Sequence, residues 1–231
     1  MKEEVIKKIK HGLIVSCQAL KTEPLYSSYI MSRIAYAAKE GGAVGIRANT
    51  PEDIIEIKKT VDLPIVGLFK VDYDNSPIYI TPTEKEIDAL IKVNPDIIAL
   101  DATDRIRPDG TTISEFFFKI RKKYPDMLFM ADCACYEDGI RAEKLGFNFI
   151  GTTLCGYTEA TKGTEIPNYE LIGKLSSKLK IPVIAEGGIW TPEQLKAAFT
   201  SGAYAAVVGT AITRPRDITR RFVKSIENEK I

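Results

Sequence analysis

Histidine is nearly absent from this sequence: in 231 residues there is one, His11, close to the amino terminus. A lone histidine removes the serine–histidine and cysteine–histidine arrangements, in which an imidazole must stand beside the nucleophile. Metal binding would then fall to cysteines and carboxylates. The four cysteines, Cys17, Cys133, Cys135 and Cys155, follow no paired C-x-x-C spacing, so no metal site is expected and the thiols read as reduced, small apolar packing residues. Any acid–base chemistry must rest on Lys, Arg, Asp, Glu or Tyr. An excess of one charge is missing too. Lys plus Arg is 32 against 31 for Asp plus Glu, which creates no field to attract nucleic acid or an anionic membrane. No apolar run is long enough to cross a bilayer, and the opening MKEEVIKKIKHG lacks the apolar core of a secretory signal. It reads as a short amphipathic helix with Val5, Ile6 and Ile9 on one face. The expectation is a cytoplasmic protein with neither nucleic-acid nor membrane partners.

What is present is a repeating unit. Short, continuously apolar runs recur: LIVSCQ (13–18), AVGIRA (43–48), PIVGLFK (64–70), DIIALDAT (96–103), LFMADC (128–133), FIGTTL (149–154), PVIAEGG (182–188) and AAVVGT (205–210). Apolar residues without alternation suit parallel strands covered on both faces. Helical patterns separate them, several with plain starts. Thr50-Pro51-Glu52-Asp53, Thr81-Pro82-Thr83-Glu84 and Thr191-Pro192-Glu193 each set a cap and a proline before acidic first-turn residues. No linker or low-complexity stretch interrupts the pattern, and 45% hydrophobic content is enough for a substantial core. Eight strand–helix units predict one (β/α)8 barrel domain, a TIM barrel, over residues 1–231, preceded by the short amino-terminal helix. A doubly wound open sheet would carry a glycine fingerprint after its first strand, where this chain has Ser-Cys-Gln-Ala.

In such a barrel the active site lies at the carboxyl ends of the strands. Those ends read Gln18, Arg47, Lys70, Asp101, Asp132, Thr152 or Thr153, Glu186 and Thr210. Polar ends on nearly every strand, behind apolar interiors, point to one shared pocket. Gly187 and Gly188 after the seventh strand, and Gly209, Thr210 and Arg214 after the eighth, set small residues and a cation where barrels often hold phosphate. A phosphorylated small molecule is the expected substrate. Lys70 has three readings: an ion-pair partner, a Schiff-base amine or a proton-transferring base. Arg47, one strand away, would depress its pKa and favour the last. Asp132 and Glu186 are placed to meet substrate hydroxyls, and Gln18 offers a neutral donor and acceptor.

The stretches SCQA, GIRANT, TPTEKEIDAL, ALDAT, ADC, IPVIAEGGIWTPEQ and VVGTAITRP, in this order and spacing, resemble the N-acetylmannosamine-6-phosphate 2-epimerase family of sialic acid catabolism. The resemblance runs from about residue 12 to residue 222. It implies a cofactor-free barrel epimerase that interconverts N-acetylmannosamine 6-phosphate and N-acetylglucosamine 6-phosphate. It further implies Lys70 and Glu186 as the catalytic pair, Gln18, Arg47 and Asp132 as substrate contacts, and Arg214 near the phosphate. How protons reach both faces of carbon 2 stays open between one lysine with a rotating intermediate, a second base, and the substrate's own groups. A Schiff-base aldolase using Lys70 and a silent sugar-phosphate binder are the rival readings.

Four further features have ordinary expectations. One ring of Phe116-Phe117-Phe118 is expected at the surface of a packed helix. Asp101 and Asp104-Arg105 read as a local ion pair, worth little if exposed, and Tyr157 and Trp190 as rim-loop residues. The stretch from Pro215 to Lys230 reads as an amphipathic helix that closes the barrel and whose apolar face supports a homodimer.

Overall fold

The computed structural model describes residues 2–227. Eight parallel strands pair in chain order and close on themselves: β1 Leu13–Cys17, β2 Gly45–Asn49, β3 Ile65–Leu68, β4 Ile97–Asp101, β5 Leu128–Asp132, β6 Phe149–Gly151, β7 Val183–Glu186 and β8 Ala205–Val208. The helices are α1 Lys2–Ile9, α2 Ser28–Glu40, α3 Pro51–Lys58, α4 Glu84–Val93, α5 Ile113–Lys123, α6 Tyr136–Leu145, α7 Tyr169–Lys178, α8 Pro192–Thr200, α9 Thr210–Thr213 and α10 Pro215–Glu227. This is the (β/α)8 barrel expected from the repeating pattern.

Strand parity explains both the core and the site. Side chains alternate across a strand, so one set fills the barrel and the other meets the helices. Ile14, Val66, Ile97, Leu128, Met130, Phe149, Ile184 and Val207 form the inner cluster, whereas Cys17, Ile46, Ile98, Phe129, Ala131, Ile150 and Val183 pack outward with the helices. Both sets are apolar, which is why the strands read as unbroken hydrophobic runs. The inner parity continues upward into Ser16, Arg47, Asp132 and Glu186. The same alternation that fills the interior therefore delivers polar groups to the mouth.

The helix starts behave as their sequences require. Thr83 and Thr191 cap α4 and α8 in reciprocal boxes with Glu86 and Gln194, and Thr50 caps α3 with Pro51 in the first turn. In α1, Ile9 is buried, and Val5 and Ile6 pack on the inner cluster at the opposite end of the barrel from the polar mouth. Phe116 and Phe117 are buried in α5 while Phe118 is 73% exposed, as the aromatic run suggested.

The local ion pair expected after β4 is present: Arg105 pairs with Asp101 at 2.5 Å, and Asp101 is fully buried. The pair holds a turn inside the protein because Asp101 also accepts from the Thr103 hydroxyl and backbone N–H, at 2.7 and 3.0 Å. One expectation needs correction: the carboxyl-terminal helix does not close the barrel. No residue of α10 is buried, and Phe222, Val223 and Ile226 are 69%, 45% and 64% exposed. Its first turn is tied instead to the loop after β1, where Glu23 pairs with Arg214 and Arg216. Positions 228–230 of the expected helix lie outside the described residues.

Candidate active site

A cavity of about 250 Å³ opens at the carboxyl-end mouth of the barrel. Gln18, Arg47, Lys70, Glu186, Gly187, Gly188, Gly209, Thr210 and Arg214 all line it. Nine of the ten residues expected to act together thus meet around one space. The tenth, Asp132, is fully buried and lies behind Arg47 rather than on the cavity wall.

At the centre is a buried arginine between two carboxylates. Arg47 Nη2 and Nη1 donate to Asp132 Oδ2 and Oδ1 at 2.6 and 3.2 Å, and Nη1 lies 2.9 Å from Glu186 Oε2. Arg47 is only 1% exposed. Burial alone would favour a neutral group, but the two carboxylates hold the guanidinium protonated and raise its pKa further. Arg47 lies in the middle of β2 rather than at its end. The strand runs on to Asn49, whose side-chain oxygen accepts the Lys70 backbone N–H at 2.8 Å.

Lys70 stands two residues past β3, where its backbone forms an isolated antiparallel bridge with Ile80. Among the described residues its Nζ has no hydrogen-bond or ion-pair partner. Burial, with Arg47 and Arg214 as neighbouring cations, lowers its pKa to about 8, against a weaker upward pull from Glu186 and Asp132. A lysine that is partly neutral near neutral pH, facing a cavity, is equipped to accept a proton or attack a carbonyl.

Glu186 is set by its neighbours just past the end of β6. The Thr152 hydroxyl donates to the Glu186 carbonyl at 2.9 Å and accepts its N–H at 3.0 Å, which locks the backbone. The Thr153 hydroxyl reaches Glu186 Oε2 at 2.9 Å and Asp132 Oδ1 at 2.7 Å. Burial pushes the Glu186 carboxyl upward, opposed by Arg47 and reinforced by Asp132.

Next to it the backbone turns sharply, with φ of +106° at Gly187 and +72° at Gly188. A Cβ at Gly188 would lie 2.7 Å from the Ile166 side chain and 2.8 Å from its backbone carbon, so this position requires glycine twice over. Opposite, Gly209 precedes α9, and Arg214 leans over Thr210 with Nη1 3.3 Å from its hydroxyl. Glu23 holds Arg214 from behind, at 3.1 Å from Nε and 3.3 Å from Nη2. Gln18 donates to the Ser16 hydroxyl at 2.8 Å, and its buried side-chain oxygen has no partner among the described residues, which makes it an acceptor ready for an incoming N–H or O–H. Tyr157 and Trp190 complete the rim.

Sequence reasoning did not single out Ser16, Glu23, Asn49 or Tyr79. Inward parity with Ile14 could have flagged Ser16, and a carboxylate opposite an expected phosphate arginine could have flagged Glu23. Tyr79 sits in the excursion between β3 and α4, which no periodicity places over the cavity. The cysteines behave as packing residues: Cys17, Cys133 and Cys155 are buried, and burial pushes the Cys17 thiol up to about 12. Among the described residues, no group of His, Cys, Asp or Glu side chains is arranged to hold a metal ion, and no helix is long and apolar enough to cross a membrane.

A closed eight-stranded parallel barrel with a polar cavity and a buried arginine–carboxylate cluster at its carboxyl-end mouth defines an enzyme of the (β/α)8-barrel class. Comparison with known proteins gives the family. Residues 31–228 match the family described as "Putative N-acetylmannosamine-6-phosphate epimerase". A relative of that description in Caldanaerobacter subterraneus subsp. tengcongensis is 54% identical over all of this chain and 97% of its own. One in Borreliella burgdorferi is 54% identical over 98% and 99% of the two chains. The solved structure of the N-acetylmannosamine-6-phosphate 2-epimerase from Clostridium perfringens superposes with a TM-score of 0.91 at 52% identity, covering 95% of both chains. The chain belongs to the N-acetylmannosamine-6-phosphate epimerase family and is an isomerase. A thiamine phosphate pyrophosphorylase from Pyrococcus furiosus, at 19% identity and a TM-score of 0.61, shares the fold alone.

Proposed function

We propose that this protein interconverts N-acetylmannosamine 6-phosphate and N-acetylglucosamine 6-phosphate, in sialic acid catabolism, by removing and returning the carbon-2 proton of the open-chain sugar. The observation that carries the reading is Lys70: an amine of pKa about 8 facing the cavity, with Arg47 and Glu186 beside it.

The chemistry follows from the substrate. A carbon-2 proton becomes acidic only next to a carbonyl, and the closed ring has none. The enzyme must therefore open the ring first. Glu186, buried yet lining the cavity, is the acid–base group for that opening. Neutral Lys70 takes the proton from carbon 2, a proton delivered to the opposite face of the planar intermediate completes the inversion, and the carbonyl supplies the acidity that a resident cofactor would otherwise be needed for. Arg47 is fixed toward the negative oxygen that develops, where a preorganised charge is worth more than it would be in water. Asp132, bidentate on Arg47, acts on the substrate through that arginine's position. The unpaired oxygen of Gln18 suits the acetamido N–H or a hydroxyl.

The phosphate would lie between the Gly187-Gly188 turn and the Gly209-Thr210 turn, with Arg214 as its charged contact. Binding energy gathered there holds the extended, otherwise costly open chain in register with Lys70. The exposed stripe Phe222, Val223 and Ile226 on α10 supports a homodimer in which a second copy covers it.

The test is a proton NMR time course with N-acetylmannosamine 6-phosphate in deuterated water. Loss of the carbon-2 proton signal as N-acetylglucosamine 6-phosphate appears, and abolition of both by Lys70→Ala, is the expected result. Folded protein that gives neither product nor exchange would remove the epimerase reading. Trapping of a borohydride-stable adduct on Lys70 would replace it with Schiff-base chemistry.

A further inference from the structure

Thr153 faces two carboxylates with one hydroxyl, and the proton count is informative. A threonine hydroxyl offers one hydrogen and two lone pairs. Its oxygen lies at hydrogen-bond distance from both Asp132 Oδ1, 2.7 Å, and Glu186 Oε2, 2.9 Å. Two hydrogen bonds along those lines need two protons, and the hydroxyl supplies one. The second belongs on a carboxyl group.

Three contacts decide which. Asp132 receives two Arg47 donors, at 2.6 and 3.2 Å, and the shorter threonine contact, as expected where a hydroxyl donates to an ionised carboxylate. Arg47 Nη1 comes within 2.9 Å of Glu186 Oε2, yet its N–H bonds run to Asp132 Oδ1 and Met130 Sδ. Glu186 is the less well paired of the two and the one that reaches the cavity. The charged and titratable groups facing it are Arg47 from β2, Lys70 from the end of β3, Asp132 from β5 and Tyr157 from the loop after β6. The two cations favour its ionised form, as does a hydrogen bond if Thr153 donates it, whereas Asp132 and burial favour the protonated one.

We propose that Thr153 is a positioning residue that places the shared proton on Glu186, by donating its own hydrogen to Asp132 and accepting one from the Glu186 carboxyl. This rests on the reading of Glu186 as the acid–base group, since it determines the form in which Glu186 meets the substrate. The hydroxyl makes Glu186 an acid and leaves Asp132 to hold Arg47. A hydroxyl turned the other way would make Glu186 a base.

The two orientations predict opposite signs. Protein labelled with carbon-13 at the glutamate carboxyl is titrated by NMR, with the Glu186 signal assigned by its loss in Glu186→Gln. If Thr153 accepts from Glu186, Thr153→Val removes that acceptor and the midpoint falls by about one pH unit, the size of one hydrogen bond. Thr153→Ala, which adds no new bulk, must shift it the same way, and Thr153→Ser must restore it. A midpoint that rises would show the hydroxyl donating to Glu186, and an unmoved midpoint would show no control; either overturns the proposal. The underlying reading fails separately: if Glu186→Gln still epimerises at the wild-type rate, Glu186 is not the acid–base group, whatever Thr153 does to its titration.

Discussion

Lys70 destabilises the fold it serves. An amine held at a pKa of about 8 against the ordinary 10.5 costs about 3 kcal/mol at neutral pH relative to an unperturbed lysine. The sign follows from which state binds the proton first. As pH falls from above 10.5, the unfolded chain takes it up first and stability drops; below about 8 the folded chain has it too and the loss levels off. Lys70→Met is therefore expected to be inactive yet more resistant to urea at pH 7, with its advantage shrinking as the pH is raised through that window. An equal or lower urea midpoint at pH 7 would show that Lys70 is better paired than its surroundings suggest. The same titration shapes catalysis: kcat/KM should rise with pH up to about 8, as the neutral amine becomes the main species. That Lys70 matters was legible from the residue alone, as a lysine closing an apolar run. So was the cation beside it, Arg47, one strand away. The contacts of Thr153, past the end of β6, were not, because they arise through register between strands far apart in sequence.

At the scale of the element, the turn after β7 combines two constraints that a glycine pair in a sequence does not distinguish. Gly187 needs its backbone angle, but a Cβ there would meet nothing closer than 3.7 Å; Gly188 needs the angle and the space, because Ile166 lies within 2.8 Å. Both alanine variants should lose stability, with Gly188→Ala losing more by roughly 1–3 kcal/mol, as seen in denaturant midpoints. Equal losses would mean that Ile166 gives way freely. The strands were readable because parallel strands buried on both faces leave unbroken apolar runs, and the helices because threonine caps and first-turn prolines mark their starts. The excursion between β3 and α4 was not readable. It is held by Thr81, whose hydroxyl donates to the Ala99 carbonyl at 2.7 Å and accepts the Phe69 N–H at 3.1 Å, contacts that no local periodicity announces. The helix that leaves the barrel was misread for a related reason. An amphipathic pattern states that α10 has an apolar face, not what covers it.

For the whole molecule, that face bears on assembly. Wild-type protein is expected to sediment as a dimer, and Phe222→Glu, a charge set in the middle of the stripe, as a monomer at the same concentration. A monomeric wild type would end the homodimer reading and leave α10 exposed in solution. The placement of α10 also links two regions that the chain keeps apart. Arg221 lies over the indole of Trp190, 4.8 Å from the ring centroid, and Trp190 lines the cavity. This is the sole tryptophan in the sequence. All indole emission from the protein therefore originates at the cavity rim, beneath a cation carried by the outlying helix, so its intensity and wavelength will register both what enters the pocket and where α10 rests. The molecule carries its own optical probe, with no label to attach.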